Sequence, residues 1–217
     1  MKCTKIILLL LLMCIPFTAG CFLLDERPVV TTLSPTVEAT TIPTTTSGLA
    51  TREPADMALQ LTDLPAGYII QERADIAYPD ISPVARDQGW KKGYYVSFYR
   101  MNAEKYDITA ISQRIGVYQV DNVHFTDRTM GTVFDAAEAE VLEMANATVS
   151  VTELPFPKTG DRTGAYRITD ANDPYGIMKY IVLFTNENVF ERVEMRGTTT
   201  DSEVLKSLVL KADTKIR

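Results

Sequence analysis

The chain has 217 residues and a net charge of −6, and 46% of its residues are hydrophobic. Because an acidic surface repels phosphate groups, this balance argues against nucleic acid as a partner. The cysteines are Cys3, Cys14 and Cys21, so the rest of the chain is not a disulfide-stabilised scaffold. The single histidine, His124, excludes the two-histidine zinc motif of metalloproteases.

The first residues contain the parts of a secretory signal. Two lysines precede an apolar run over residues 6–15, and small residues follow. Ala19-Gly20-Cys21 then resembles the lipobox of prokaryotic lipoproteins, in which the cysteine becomes the lipid-bearing N-terminus. Thr18, where bacterial lipoboxes usually carry Leu, makes the site more similar to archaeal lipoproteins. The resemblance predicts a signal peptide over residues 1–20 and lipidation at Cys21.

The same segment leaves a second interpretation open. No charged residue lies between Lys5 and Asp25, and this uncharged length approaches the ~20 residues that a membrane-spanning helix needs. Pro16 and the small residues after it dilute the apolar run, which favours the cleaved, lipid-anchored form over a single N-terminal transmembrane helix. Both interpretations place the rest of the chain on the outer face of the cell membrane.

The composition then changes for a stretch that we interpret as a stalk. Residues 29–54 are rich in Thr, Pro and Ser and contain no aromatic residue. Such a segment cannot bury enough apolar surface to offset the entropy of ordering it. We therefore expect a lipid-anchored, Thr/Pro-rich stalk over residues 21–54, followed by a single domain over residues 55–217.

The first part of the domain has strand and short-helix patterns. We predict a strand through Ile69-Ile70 and a short helix that begins at Ser82-Pro83 and ends before Gly89, because Ser favours the N-cap and Pro the first helical position. Alternating aromatic and β-branched residues predict strands at residues 94–101 and 111–119.

A long amphipathic helix is predicted over residues 129–145. Its apolar stripe consists of Met130, Val133, Phe134, Ala137, Val141 and Ala145. We expect this stripe to pack on the sheet, with Phe134 in the core, Glu138 on the outer face and the aromatic strand 94–101 beneath the helix.

The last third of the chain predicts more strands and a closing helix. Short strands are expected at residues 149–151 and 164–169, and a hairpin joins residues 177–184 to residues 189–196. Because residues 177–184 are apolar on both faces apart from Lys179, they predict a central strand.

The closing helix is predicted to start with a capping box formed by Thr200 and Glu203. Its buried stripe is Leu205, Leu208, Val209 and Ala212, and Lys211 and Lys215 lie at its C-terminal end. Runs of strands with few helices predict an α+β fold, an antiparallel β-sheet with one long amphipathic helix and a C-terminal helix packed on it.

This order of elements resembles exported α+β lipoprotein domains of the PsbP/Mog1-like kind. The turn Leu154-Pro155-Phe156-Pro157-Lys158-Thr159-Gly160-Asp161 is also similar to one in extracellular sensor domains of the mycobacterial type. The resemblance implies an extracytoplasmic domain and transfers no catalytic residue.

Three aromatic residues define the candidate binding face. Trp90, Tyr95 and Tyr99 lie in the densest aromatic stretch, where cationic residues interleave, and such sets stack on sugars or bases. The alternative is that these aromatics belong to the core.

Two further patterns concern modification and metal binding. Asn146-Ala147-Thr148 is an N-glycosylation sequon. Oxygen ligands cluster at Asp170, Asn172 and Asp173, but the calcium-loop pattern is incomplete and a turn is favoured. We predict no metal, no cofactor and no catalytic residue.

The predicted function is that of a membrane-anchored extracytoplasmic lipoprotein with a non-enzymatic domain that binds a ligand or a protein partner. The alternative, by analogy with PsbP-like proteins, is an accessory subunit of a membrane protein complex. An enzyme is the least favoured of the three.

Overall fold

A computed structural model of the chain describes residues 50–102, 104–105, 107–119 and 123–216, with only the backbone given for residues 123–125. The predicted signal peptide, Cys21 and the stalk up to residue 49 lie outside these residues. The helices are α1 (Pro54–Met57), α2 (Pro83–Asp87), α3 (Val123–Leu142) and α4 (Ser202–Ile216). The strands are β1 (Ile69–Asp75), β2 (Trp90–Asn102), β3 (Asp107–Tyr118), β4 (Val149–Glu153), β5 (Arg162–Asp170), β6 (Met178–Asn186) and β7 (Val189–Gly197).

The strands form one seven-stranded sheet in the order β1-β2-β3-β7-β6-β5-β4. Every pair of neighbouring strands is antiparallel, so the predicted α+β class with an antiparallel sheet is confirmed. Within the described residues, no helix combines the length and the apolar character that crossing a membrane requires.

Both faces of the sheet are covered, by different helices. On one face, α1 and α4 pack over Phe98, Ile111 and Val193. On the other face, α3 packs over β5, β6 and β7. Because side chains alternate along a strand, four consecutive residues of β6 are buried, two in each layer: Ile181, Val182, Leu183 and Phe184. The prediction of a central strand here is confirmed.

The long helix differs from its prediction in extent and in position. It begins at Val123 and ends at Leu142 rather than spanning residues 129–145. The buried face of the aromatic strand β2 does not point toward α3. Its side chains Val96 and Phe98 point into the layer that contains α1 and α4. The prediction that β2 lies beneath α3 was therefore wrong. Because β3 pairs with β7, α3 packs on the half of the sheet formed by β5, β6 and β7.

The start of α4 also differs from its prediction. Asp201 is the capping residue, since its Oδ1 accepts hydrogen bonds from the backbone N–H groups of Glu203 at 2.9 Å and Val204 at 3.3 Å. The Oγ1 atom of Thr200 is buried without a hydrogen-bond partner in the described part of the chain. A carboxylate is the stronger acceptor, which explains the shift of the cap by one residue.

The rest of α4 follows the prediction. The expected stripe Leu205, Leu208, Val209 and Ala212 is buried. Lys215 contacts Asp63 Oδ2 at 3.0 Å, and Lys211 Nζ donates to the Asp63 backbone oxygen at 2.8 Å. These lysines therefore tie the helix end to the segment after α1.

Residues 50–54, which composition assigned to the stalk, belong to the folded unit. The backbone N–H of Ala50 donates to Asn188 Oδ1 at 2.9 Å, and Arg52 Nη1 donates to the Lys215 carbonyl at 2.9 Å. Pro54 is buried at the start of α1.

Candidate functional site

An open groove lies on the face of the sheet that carries α3. Because α3 covers only β5, β6 and β7, the floor formed by β2, β3 and the near side of β7 stays accessible between α2 and α3. We call this feature the α3 groove. Its apolar half encloses about 130 Å³ and is lined mainly by Ile81, Val84, Trp90, Val133, Ala137 and Phe190. Its polar half is lined by Tyr95, Ser112, Arg114, Arg192 and Glu194.

Strand register brings the polar residues together. Tyr95 of β2 pairs with Arg114 of β3, which in turn pairs with Arg192 of β7. Cross-strand partners project from the same face of a sheet, so these three side chains form one row. Arg114 and Arg192 line both halves of the groove, and the row therefore marks the boundary between the halves.

Trp90 lies across two glycines. A Cβ atom at Gly93 would approach the indole to 3.2 Å and the Ile115 carbonyl to 2.6 Å, and one at Gly116 would lie 3.5 Å from the indole. The irregularity between Trp90 and Lys92 in the pairing of β2 with β3 accompanies this placement. The glycines thus leave room for the indole to form one wall of the apolar half.

The charges of the groove are unevenly matched. Arg192 Nε contacts Glu194 Oε1 at 2.5 Å, and Lys179 contacts the other oxygen of Glu194 at 2.9 Å. Arg192 Nη1 also lies 3.9 Å from Glu140 Oε2. Arg114 forms no ion pair with any residue that the structure describes, and its guanidinium lies 5.8 Å from the centroid of the Tyr95 ring.

The three residues of the candidate binding face are separated by the structure. Trp90 lines the apolar half of the groove and Tyr95 the polar half. Tyr99 projects from the same face of β2 but lies outside the groove, opposite Ile69 of β1 and Ala110 of β3. All three side chains are partly buried.

Sequence reasoning missed the charged residues of the groove. Alternation along β7 places Arg192 and Glu194 on the face away from Val193, and Arg114 has the corresponding position on β3. These side chains come together because β3 pairs with β7. Nothing in the local sequence of either strand predicts this pairing.

The sequon lies in an exposed turn after α3. Asn146 Oδ1 accepts hydrogen bonds from the backbone N–H groups of Thr148 at 2.9 Å and Val149 at 3.0 Å, and the Thr148 hydroxyl lies 3.2 Å from it. The amide oxygen thus organises the turn, and Asn146 itself is exposed.

The Asp170 region forms hydrogen-bonded turns. Asp170 Oδ1 accepts from the backbone N–H of Asn172 at 2.9 Å, and Asp173 Oδ1 accepts from that of Tyr175 at 2.8 Å. No group of three or more His, Cys, Asp and Glu residues that could hold a metal ion occurs among the described residues. His124 belongs to the first turn of α3, where the structure describes only the backbone.

A buried polar network occupies the opposite face of the sheet. Glu191 is completely buried, and Gln113 Nε2 donates to its Oε2 at 2.6 Å. Gln113 Oε1 accepts from the Leu59 backbone at 2.7 Å, and Asn186 Nδ2 donates to Asp213 Oδ1 at 2.6 Å. Burial and the nearby Asp213 raise the pKa of Glu191 to about 8, against the lowering effect of Gln113.

No protein-family model matches the chain, and no curated protein matches it either. Among solved structures, the extracellular domain of PknH from Mycobacterium tuberculosis is similar in fold, with a TM-score of 0.55 and 10% sequence identity. The similarity covers 75% of this chain and 93% of that chain. At this identity it shows a common fold alone, so the resemblance to extracellular domains of the mycobacterial type is supported at the level of architecture.

Proposed function

We propose that this chain is an extracytoplasmic lipoprotein, anchored to the outer face of the membrane through Cys21, whose α+β domain binds a ligand and catalyses no reaction. The α3 groove is the observation that carries the proposal. Ligand sites are typically concave and mainly apolar, with a few polar groups that fix the orientation of the ligand. The apolar half of the groove and the row Tyr95, Arg114, Arg192 match this description.

The ion pairs of the groove also support a binding role. Arg192 is held between Glu194 and Glu140, and Glu194 is held in turn by Lys179. Charged side chains fixed by such pairs lose little conformational freedom when a ligand arrives, which lowers the cost of binding.

Ligand binding in the groove can be tested with a matched pair of variants. Ala136 lines the groove, whereas Ala139 is exposed on the same helix. A small-molecule library would be screened for compounds that raise the melting temperature of the full-length chain. We expect such compounds to raise the melting temperature of Ala139→Met as well. They should not raise that of Ala136→Met, because the longer side chain fills the apolar half. A library hit that stabilises both variants equally would place its site elsewhere and contradict the proposal.

One observation favours the accessory-subunit role as a second candidate. Ile69, Met101 and Ile108 are 62%, 58% and 40% exposed. They lie together, because Ile69 pairs with Tyr99 and Met101 pairs with Ile108. Exposed apolar patches mark protein interfaces. The test is whether the detergent-solubilised chain is recovered in a stoichiometric membrane complex. A complex that is lost in Met101→Asp and kept in Ala136→Met would support the accessory-subunit role over ligand binding in the groove.

A further inference from the structure

We propose that the α3 groove takes a small organic anion, a carboxylate or phosphate monoester that carries one compact apolar group. This assignment rests on the proposed ligand-binding function and specifies its ligand class. The anionic group would lie against Arg114, and the apolar group would enter the half of the groove beside Trp90.

The charge balance of the groove selects an anion. Lys179 and Arg192 together face Glu194 and Glu140, so these four charges compensate one another. Arg114 stays without an acidic partner among the described residues, and it lines both halves. Asp80 lines the apolar half but not the polar half, and it forms no ion pair with Arg114.

Arg114 is suited to bind such a group. A guanidinium presents a planar set of N–H donors that matches carboxylate and phosphate oxygens in pairs. The ring of Tyr95, 5.8 Å away, flanks the guanidinium on the sheet, and the hydroxyl of Ser112 lies in the same polar half. Arg114 is exposed and lines both halves of the groove, so its guanidinium is accessible to a ligand that spans them.

The apolar half limits the size of the ligand. Its volume of about 130 Å³ admits a branched chain of a few carbons or a single ring and is too small for a long acyl chain. Its walls are the indole of Trp90, Phe190 and the α3 residues Val133 and Ala137, so burial of the apolar group would add to the affinity in proportion to the area removed from water.

The single tryptophan of the chain provides a local reporter. The full-length chain would be titrated with 4-methylpentanoate, with 3-methylbutyl phosphate and with the neutral isostere 4-methylpentanamide, and Trp90 fluorescence would be followed. We expect at least one anion to bind about tenfold or more tightly than the amide, as charge-assisted hydrogen bonds are stronger than neutral ones. The ranking of the two anions distinguishes a carboxylate from a phosphate ligand.

Three variants at two arginine positions make the test specific. Arg114→Gln should abolish the preference for the anion, and Arg114→Lys should retain part of it. Arg196→Gln should leave the preference unchanged, because Arg196 is exposed on the same face of β7 outside the groove. Equal affinity for anion and amide, or a preference that survives in Arg114→Gln, would overturn the anion assignment while the ligand-binding function stands. If no probe alters Trp90 fluorescence, the ligand class is wrong, and the library screen with the Ala136 and Ala139 variants decides the function separately.

Discussion

Glu191 shows how one residue can make the stability of the fold depend on pH. It lies in β7 beneath α4, with one carboxylate oxygen bonded to Gln113 and the other without a partner among the described residues. Burial of a charge without full compensation is costly, so the folded state favours the protonated form. The pKa of Glu191 is accordingly raised from 4.5 to about 8.

The sign of the pH dependence follows from this shift. Between about pH 4.5 and pH 8 the folded chain holds a proton on Glu191 that the unfolded chain has released. The free energy of unfolding therefore falls as pH rises through this window, by up to about 1 kcal/mol per pH unit from this group. Glu191→Gln should remove that slope and should be more stable than the parent at pH 8. Urea unfolding of both proteins at pH 5 and pH 8 measures the difference, and parallel pH profiles would contradict the assignment.

At the scale of single elements, α3 is fixed to the sheet by an apolar and a polar contact. Phe134 is 3% exposed, and the Arg162 guanidinium lies 4.4 Å from the centroid of its ring. One turn further along, the Tyr166 hydroxyl donates to Glu138 Oε1, and burial together with this bond raises the pKa of Tyr166. The expectation that Glu138 lies on a free outer face was therefore wrong.

This arrangement predicts the cost of three substitutions in α3. Phe134→Ala should lower the free energy of unfolding by about 3–5 kcal/mol, because it empties a buried aromatic site. Glu138→Ala should cost about 1–3 kcal/mol, because it leaves the buried Tyr166 hydroxyl without its acceptor. Glu143→Ala, at an exposed position just beyond the helix, should change stability by less than about 0.5 kcal/mol. If Glu138→Ala were as neutral as Glu143→Ala in urea unfolding, the bond to Tyr166 would contribute nothing.

The first turn of α4 allows a comparison of two adjacent residues. Asp201→Ala removes the acceptor for the N–H groups of Glu203 and Val204 and should cost about 1 kcal/mol, the usual value for a helix N-cap. Thr200→Val removes a buried hydroxyl that has no partner in the described residues and should be neutral or stabilising. Thermal melts of both variants test this, and the reverse ranking would restore Thr200 as the cap.

The elements that could be predicted from the sequence are those with a local signal. A run that is apolar on both faces identified β6 as a central strand, and the helical period identified the buried residues of α4. The order of strands has no such signal, because β3 and β7 meet across seventy or more residues, and α3 was consequently assigned to the wrong half of the sheet. Arg114 was missed in the groove for the same reason. Glu191 could have been noticed, since alternation places it on the same face of β7 as Val189 and Val193. A charged residue in a strand, however, ordinarily indicates a position that faces solvent.

For the whole molecule, the first prediction concerns the anchor. The Ala19-Gly20-Cys21 site predicts cleavage before Cys21 and attachment of lipid to its sulfur. The intact mass of the protein from membranes should correspond to a chain that begins at Cys21 and carries a diacylglycerol group, and Cys21→Ser should lack this added mass. A protein that still begins at Met1 would instead support the uncleaved transmembrane helix.

The last prediction concerns where the independently stable domain begins. Ala50 donates to Asn188 Oδ1, and Asn188 in turn donates from Nδ2 to the Tyr118 carbonyl at 3.0 Å, so the segment before α1 is tied to the turn between β6 and β7 and to the end of β3. A fragment of residues 55–217 loses this bond, leaves a buried amide oxygen unpaired and exposes the site of Pro54. We expect it to be less stable than a fragment of residues 50–217 by about 1–3 kcal/mol.

The control fragment separates the stalk from the domain. Residues 29–49 are rich in Thr, Ser and Pro and contain no aromatic residue, so fragments 22–217 and 50–217 should melt at the same temperature. Both should unfold in one cooperative transition, and the result should be the same in reducing and oxidising buffer because no cysteine lies beyond Cys21. Equal melting of fragments 50–217 and 55–217 would show that the contacts of residues 50–54 do not stabilise the fold. A lower melting temperature for 50–217 than for 22–217 would mean that the stabilising segment starts before residue 50.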